Sequence, residues 1–270
     1  MNDSAMYVDV WRECARNLSA LFADLGDDDW SKPTDCPGWT VHDIAAHLAA
    51  LEAELAGDPL RPVEPPPMSG TLDPFRLHTE LGVHARRQNS PEQLVAEFRG
   101  AVERRTAALE QAPPTDLQAP AGRTPGGIGW TWERLLQNRA IDLWVHEQDI
   151  RRASDRPGSL DSAGARFTVF AFGSSLPFVL GKKVQPEPGT TVVWQVTGPV
   201  EATFTVVIGD DGRGRPLPEP PSQPTARLAM DTETFVVLMA GRRPPEDLAI
   251  AVQGDETLAR RVLGEMAVTS

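Results

Sequence analysis

Residues 142–149 read Asp-Leu-Trp-Val-His-Glu-Gln-Asp and place acidic and imidazole side chains at helical spacing. Asp142 and His146 are four residues apart, so they lie one turn apart on the same helix face and can bind the same ion. Asp149 follows His146 by three residues and extends this polar stripe. The helix is otherwise largely apolar, and buried carboxylates and imidazoles are costly unless they are paired or bound to metal. The stretch therefore predicts a buried polar site.

Two interpretations of this stripe are open from the helix alone. Arg139 shares the face of Asp142, His146 and Asp149, and these four side chains could form an internal ion-pair network without any metal. His47 favours a metal, because it lies on the apolar, inward face of a second predicted helix. Two histidines and a carboxylate facing one bundle interior are a plausible ligand set, and three protein ligands leave the open position that is typical of catalytic zinc.

The remaining candidate side chains carry weaker signals. Cys36 precedes Pro37 in a turn, which favours a small packing residue over a nucleophile. His42 falls on a different face of its helix from His47, where we expect exposure. His78 and His84 have no partner at ligand spacing. The sequence contains no Gly-rich phosphate loop, nucleophile elbow or Cys-x-x-Cys pair.

Composition limits the class of protein. A chain of 270 residues exceeds the usual size of one domain, and 40% apolar residues suffice for a substantial core. The formal charge of −12 provides no basic surface for nucleic acid. Two cysteines are too few for a disulfide framework, and no apolar run is long enough for a secretory signal or a membrane span. We predict a cytoplasmic protein, monomeric or homodimeric, that binds neither nucleic acid nor membrane.

Apolar periodicity and turn residues predict two domains joined by a helix. Residues 1–158 are expected to form a helical bundle, residues 159–184 a connecting helix, and residues 185–270 a small α/β domain. The predicted helices of the first domain cover about residues 7–25, 40–55, 75–88, 90–111 and 131–153, with a proline-rich loop over 57–74. The later predictions are a helix over 162–180, a hairpin of strands 190–197 and 200–208, a strand over 226–230, a helix over 231–240, a strand over 248–253 and a helix over 254–266.

Two motifs resemble the mycothiol-dependent maleylpyruvate isomerase family. Residues 36–43 read Cys-Pro-Gly-Trp-Thr-Val-His-Asp and lead to His47, and residues 144–153 read Trp-Val-His-Glu-Gln-Asp-Ile-Arg-Arg-Ala. The resemblance covers nearly the whole chain. It implies a DinB-like four-helix bundle that carries a divalent metal, followed by a small α/β domain similar to sterol carrier proteins.

The resemblance also implies roles for individual residues. His47, Asp142 and His146 match the ligands of the metal, which we expect to be zinc, with Asp149 and Arg139 supporting them. The family pattern has glutamate where this chain has Asp142, which is one methylene shorter. An arginine of the family's small domain holds the thiol cofactor, mycothiol, and the nearest matches in this chain are Arg242 and Arg243.

The predicted function is therefore a metal-dependent, mycothiol-using isomerase or S-transferase acting on a small electrophile. A metal in the open position would stabilise the thiolate, which can add to an electrophilic double bond. Rotation and elimination would give isomerisation, whereas a lasting adduct would be thiol transfer. We predict no catalytic side chain beyond the metal site. Two alternatives remain: a metal-dependent hydrolase, with water in place of thiol, and a non-catalytic protein whose small domain binds a lipid-like molecule.

Overall fold

The computed structural model describes residues 3–64 and 73–269, and the chain divides into two compact units. The units are Met1–Gly158, which is helical, and Ser159–Ser270, which combines helices with a sheet. This arrangement confirms the predicted fold class, a helical bundle followed by a small α/β part.

Four long helices of the first unit form a bundle, in which α1 packs on α5 and α2 packs on α4. A shorter helix, α3, packs on α2. The bounds are α1 (Asp3–Asp24), α2 (Val41–Ala56), α3 (Pro74–His84), α4 (Pro91–Gln111) and α5 (Trp132–Ser154). Large apolar side chains from all four long helices fill the centre, among them the fully buried Trp11, Ile44, Phe98 and Trp144. Each helix thus buries one apolar stripe against its neighbours.

The helix starts of this unit follow local capping signals. Thr40 caps α2. Its hydroxyl oxygen accepts a hydrogen bond from the Asp43 N–H, and the Asp43 carboxylate accepts one from the Thr40 N–H. Ser90 caps α4 ahead of a proline at the first helical position. By contrast, α3 ends at His84, four residues before the predicted end. Residues 85–88 form a turn instead, and Arg86 in this turn donates hydrogen bonds to Glu97 of the next helix. The predicted loop over 57–74 includes residues 65–72, which lie outside the described part of the chain.

A five-stranded mixed sheet is the centre of the second unit, in the order β3-β2-β1-β4-β5. Its strands are β1 (Thr191–Thr197), β2 (Ala202–Ile208), β3 (Gly214–Pro216), β4 (Ala226–Asp231) and β5 (Ala251–Gly254). β1 and β2 form the predicted antiparallel hairpin, and β1 pairs with β4 in parallel. Two further helices, α8 (Thr232–Met239) and α9 (Glu256–Gly264), pack on the sheet. The sequence did not predict β3, which has only three residues and contains both glycine and proline.

The segment predicted as one connecting helix belongs to the second unit and is interrupted. It consists of α6 (Ala163–Gly173), α7 (Leu176–Phe178) and a π-helical turn (Val179–Val184). α6 packs on α8 and β2, and α7 packs on β3. Among the described residues, Ala163–Val184 is long and apolar enough to be a candidate membrane span by length and composition, although the sequence predicted none. Half of its apolar window is buried in the structure, which is equally the pattern of a core helix in a soluble protein.

Candidate metal centre

The structure brings the three predicted metal ligands together between α2 and α5. Nε2 of His47 lies 3.3 Å from Oδ2 of Asp142, and Nε2 of His146 lies 3.6 Å from Oδ1 of the same carboxylate. One ligand atom from each residue lies within 4.8 Å of the other two. The aspartate therefore reaches both histidines although it is one methylene shorter than glutamate. Two imidazole nitrogens and a carboxylate oxygen at these separations fit a tetrahedral zinc site with one open position.

The charge states of His47 and Asp142 suit cation binding. Burial lowers the pKa of His47 despite the opposing charge of Asp142, so His47 is neutral and keeps a lone pair for a metal. Burial would raise the pKa of Asp142, but the charge of Arg139 and the contacts with His47 and His146 hold it well below its usual range. Asp142 is therefore a carboxylate at neutral pH, and its side chain is 21% exposed, which leaves a path from solvent to the cluster.

Asp149 forms a hydrogen bond with the other ring nitrogen of His146, Nδ1. Its Oδ2 lies 3.1 Å from Nδ1 of His146, and its Oδ1 accepts a 2.5 Å bond from Arg152. A proton kept on Nδ1 by this bond leaves Nε2 as the metal-binding nitrogen, the arrangement usual for zinc-binding histidines. Burial opposes the charged ring, but Asp142 and the Asp149 hydrogen bond raise the pKa of His146 to about 10, so Nε2 must give up a proton before it can bind a metal.

Cys36, which the sequence predicted as a small packing residue, also lies at this site. Its Sγ is 3.4 Å from Oδ2 of Asp149 and 4.0 Å from Nδ1 of His146, and all three residues are buried. These atoms form a second group with metal-ligand spacing. The group shares His146 with the first, and Asp149 already accepts hydrogen bonds from Arg152 and Cys36. The side chain of Asp142 is more exposed to solvent than that of Asp149, which favours the first group as the metal site.

A tight turn delivers both Cys36 and Trp39 to the cluster. Pro37 and Gly38 occupy its central positions, Gly38 has φ of 80°, and the Trp39 N–H donates to the Cys36 carbonyl at 3.0 Å. These are the features of a type II turn, which requires positive φ at the glycine. The Trp39 ring lies 5.1 Å from the His47 ring and 6.1 Å from that of His146, centre to centre. Trp39 thus covers both imidazoles. The Pro37–Gly38 pair was the sequence signal for this turn.

A buried ion cluster lies behind the candidate ligands, on the bundle side. Arg139 donates to Oδ2 of Asp142 at 2.8 Å and, through two other nitrogens, to Oε1 of Glu52 at 2.9 and 3.0 Å. The other oxygen of Glu52 pairs with Arg105 of α4. Burial opposes the charge on Glu52, but the two guanidinium groups hold its pKa below the ordinary value. Of the ion network expected as an alternative to a metal, Arg139 and Asp142 are paired here, and Glu52 is a further member that the sequence did not reveal.

Within the described residues, the other three histidines belong to neither group with metal-ligand spacing. His42 is half-buried rather than exposed, and its Nε2 lies 2.8 Å from the Asn89 carbonyl oxygen. His78 is hydrogen bonded to Glu54 at 2.7 Å, and His84 ends α3.

The two arginines predicted to hold a thiol cofactor follow α8 in the second unit. Arg242 is half-buried and donates to the Ala240 carbonyl at 3.0 Å, whereas Arg243 is exposed. Their role toward a cofactor stays a prediction.

A cavity of about 240 Å³ adjoins His47. It lies between α2, α3 and residues 59–63, and its wall is mostly apolar. The candidate metal centre thus has a neighbouring space that can hold a small molecule.

Comparison with known proteins places these features in context. The sequence-family model of the mycothiol maleylpyruvate isomerase N-terminal domain matches residues 11–151, and the sequence-family model of the corresponding C-terminal domain matches residues 171–261. Two Mycobacterium tuberculosis proteins described as uncharacterized, from strains CDC 1551 and H37Rv, are each 24% identical over 273 residues, covering 95% of this chain and 93% of theirs.

Solved structures share the fold at much lower identity. The crystal structure of the mycothiol-dependent maleylpyruvate isomerase is 12% identical, covers 93% of this chain and 92% of its own, and superposes with a TM-score of 0.57. A histidine-to-alanine mutant of that enzyme is 13% identical, with the same coverage and a TM-score of 0.55. At such identities the likeness concerns the fold alone.

Proposed function

The chain belongs to the mycothiol maleylpyruvate isomerase family, and on that basis we propose that it is a metal-dependent isomerase that uses a low-molecular-weight thiol. One observation carries the metal part of the proposal. Nε2 of His47, Nε2 of His146 and a carboxylate oxygen of Asp142 converge within 4.8 Å, and the second nitrogen of His146 is already bonded to Asp149.

In this proposal His47, Asp142 and His146 hold a divalent ion, and the nitrogen-rich donor set favours zinc. Such an ion, when bound, acts as a Lewis acid that stabilises the thiolate form of mycothiol. A thiolate adds reversibly to an activated double bond, so the cis and trans isomers of the alkene can exchange. Asp149 keeps the Nδ1 proton of His146 in place, and Arg139 holds one oxygen of Asp142.

Metal content is the first test. The purified protein should contain a stoichiometric divalent ion, and His47→Ala should lose it. His42→Ala is a matched control, because His42 is on the same helix but bonds a backbone carbonyl instead. A His47→Ala variant that keeps full metal content would contradict the proposed site.

Thiol binding is the second test, and it needs no substrate. Protein loaded with cobalt in place of zinc should gain a thiolate-to-metal charge-transfer absorption when mycothiol is added. No such band would favour the hydrolase alternative, in which water occupies the open position.

The reaction itself can be followed with a small cis-alkene that is activated by a carbonyl group. An isomerase should convert it while the amount of free mycothiol stays constant. A transferase would instead consume the thiol, and a purely binding protein would do neither.

A further inference from the structure

We propose that the cavity beside His47 binds an electrophile with an apolar body and a single carboxylate, and that Arg61 binds that carboxylate. This inference rests on the proposed function and specifies the class of substrate that the same site accepts.

The size and wall of the cavity suit an apolar body. Benzene fits a cavity of roughly 150 Å³, so the larger volume here, about 240 Å³, admits a group of that size with a short side chain. The wall is built by aliphatic side chains of α2, α3 and the 59–63 segment, which include Ala50, Leu51, Leu60, Pro62, Leu81 and Ala85. Burial of an apolar group against such a wall is favourable at about 25 cal/mol per Å².

Two polar side chains of the cavity wall, His78 and Glu54, are already hydrogen bonded to each other. His78 and Glu54 are 2.7 Å apart, and their side chains are only 18% and 15% exposed. The second oxygen of Glu54 accepts the Gly126 N–H at 3.1 Å. Neither side chain is therefore available as the main partner of a charged ligand.

The two arginines of the wall differ in their remaining hydrogen-bond capacity. Arg86 donates through two nitrogens to Glu97, at 3.1 and 2.7 Å, and through the third to the Gly82 carbonyl. Its side chain is only 6% exposed. Arg61 reaches the same Glu97 carboxylate through one nitrogen at 2.9 Å, and its side chain is 42% exposed.

The single carboxylate of Glu97 therefore pairs with both Arg61 and Arg86, so one of the two positive charges has no negative partner in this group. Among residues 3–64 and 73–269, Arg61 is the cation of the cavity wall whose N–H groups remain most open to a ligand. Arginine N–H groups suit a carboxylate, and such charge-assisted bonds are about twice as strong as neutral ones. A second carboxylate enclosed by the same wall would lie against aliphatic side chains or near Glu54, where an unpaired charge is costly.

The position of His47 connects this cavity to the proposed chemistry. His47 lines the cavity and also belongs to the candidate ligand set. A molecule anchored at Arg61 would therefore extend its body along the wall shared with the metal centre.

Binding of trans-cinnamate to the purified full-length protein tests the proposal by isothermal titration calorimetry, with no thiol present. Cinnamate should bind, and both its neutral analogue cinnamyl alcohol and the dicarboxylate phenylmaleate should bind more weakly. Arg61→Gln should weaken cinnamate binding about tenfold or more, as expected for loss of a charge-assisted bond. Arg104→Gln is the matched control, because Arg104 is a similarly exposed arginine paired with Asp58 outside the cavity wall.

Ala85→Phe provides a second variant, since its ring should fill the cavity and abolish cinnamate binding while circular dichroism reports an intact fold. Unchanged affinity in Arg61→Gln, tighter binding of phenylmaleate than of cinnamate, or undiminished binding in Ala85→Phe would each overturn the proposal. Because this titration needs no thiol, its result is independent of the cobalt experiment. A cavity that binds cinnamate in a protein that never binds mycothiol would leave this inference standing and remove the proposed function.

Discussion

Glu52→Gln tests whether the buried ion cluster stabilises the helical unit. Glu52 is fully buried, and it accepts hydrogen bonds from Arg105 and Arg139 and from the indole N–H of Trp11. Arg105 also lies over the Trp11 ring at 4.6 Å. Glutamine keeps the size of the side chain but removes its charge. Two guanidinium groups with little access to water would then share a neutral partner.

The expected loss is large, because removing one partner of a buried ion pair costs about 3–5 kcal/mol. For a unit of this size each kcal/mol corresponds to roughly 2–4 °C, so the melting temperature should fall by about 6–20 °C. The same substitution at Glu110 is the control, since Glu110 pairs with Arg12 at 2.6 Å but is 62% exposed. An exposed pair contributes only about 0–1 kcal/mol.

Differential scanning calorimetry of the two variants at neutral pH provides the comparison. The pH dependence supplies a second check, because the folded-state pKa of Glu52 is lowered. Stabilisation from such a group is complete above its unfolded pKa of about 4.3 and is lost as the pH falls through the lower folded value. The difference between wild type and Glu52→Gln should therefore be constant between about pH 6 and 8 and shrink in acid. If Glu52→Gln melts no lower than Glu110→Gln, the cluster does not contribute as argued.

Three further predictions concern the metal centre and the second unit. Asp149→Asn should weaken zinc binding about 10- to 100-fold in a chelator competition, because the histidine ligand loses its carboxylate partner; unchanged affinity would show that this bond is irrelevant to the metal. Zinc at a hundredfold excess over its Kd should raise the melting temperature of the helical unit by about 5–10 °C, and the same addition to His47→Ala should produce no shift. Gly214→Ala should destabilise the second unit by about 1–3 kcal/mol in urea denaturation, because its Cβ would lie 2.2 Å from a backbone carbonyl oxygen of α7. Gly264→Ala, with no atom within 4 Å of the added Cβ, is its control, and equal stability of the two variants would contradict the packing argument.

Local signals in the sequence predicted the elements that depend on neighbouring residues. The Thr40 and Ser90 caps start α2 and α4 where expected, since a cap involves residues only two or three positions apart. The spacing of Asp142 and His146 likewise places them on one face, because helical geometry is periodic. His47 is the one distant partner that the apolar pattern of its own helix could identify.

The sequence by itself determined the bundle-plus-α/β architecture and the histidine and carboxylate donors of the candidate site. Only the tertiary structure revealed that Cys36 and Trp39 reach that site, that Glu52 joins Arg105 and Arg139 behind it, and that a cavity adjoins His47. The physical reason is distance along the chain. Cys36 meets Asp149 across 113 residues and Glu52 meets Arg139 across 87, and no periodicity or turn signal encodes the packing that brings such pairs together.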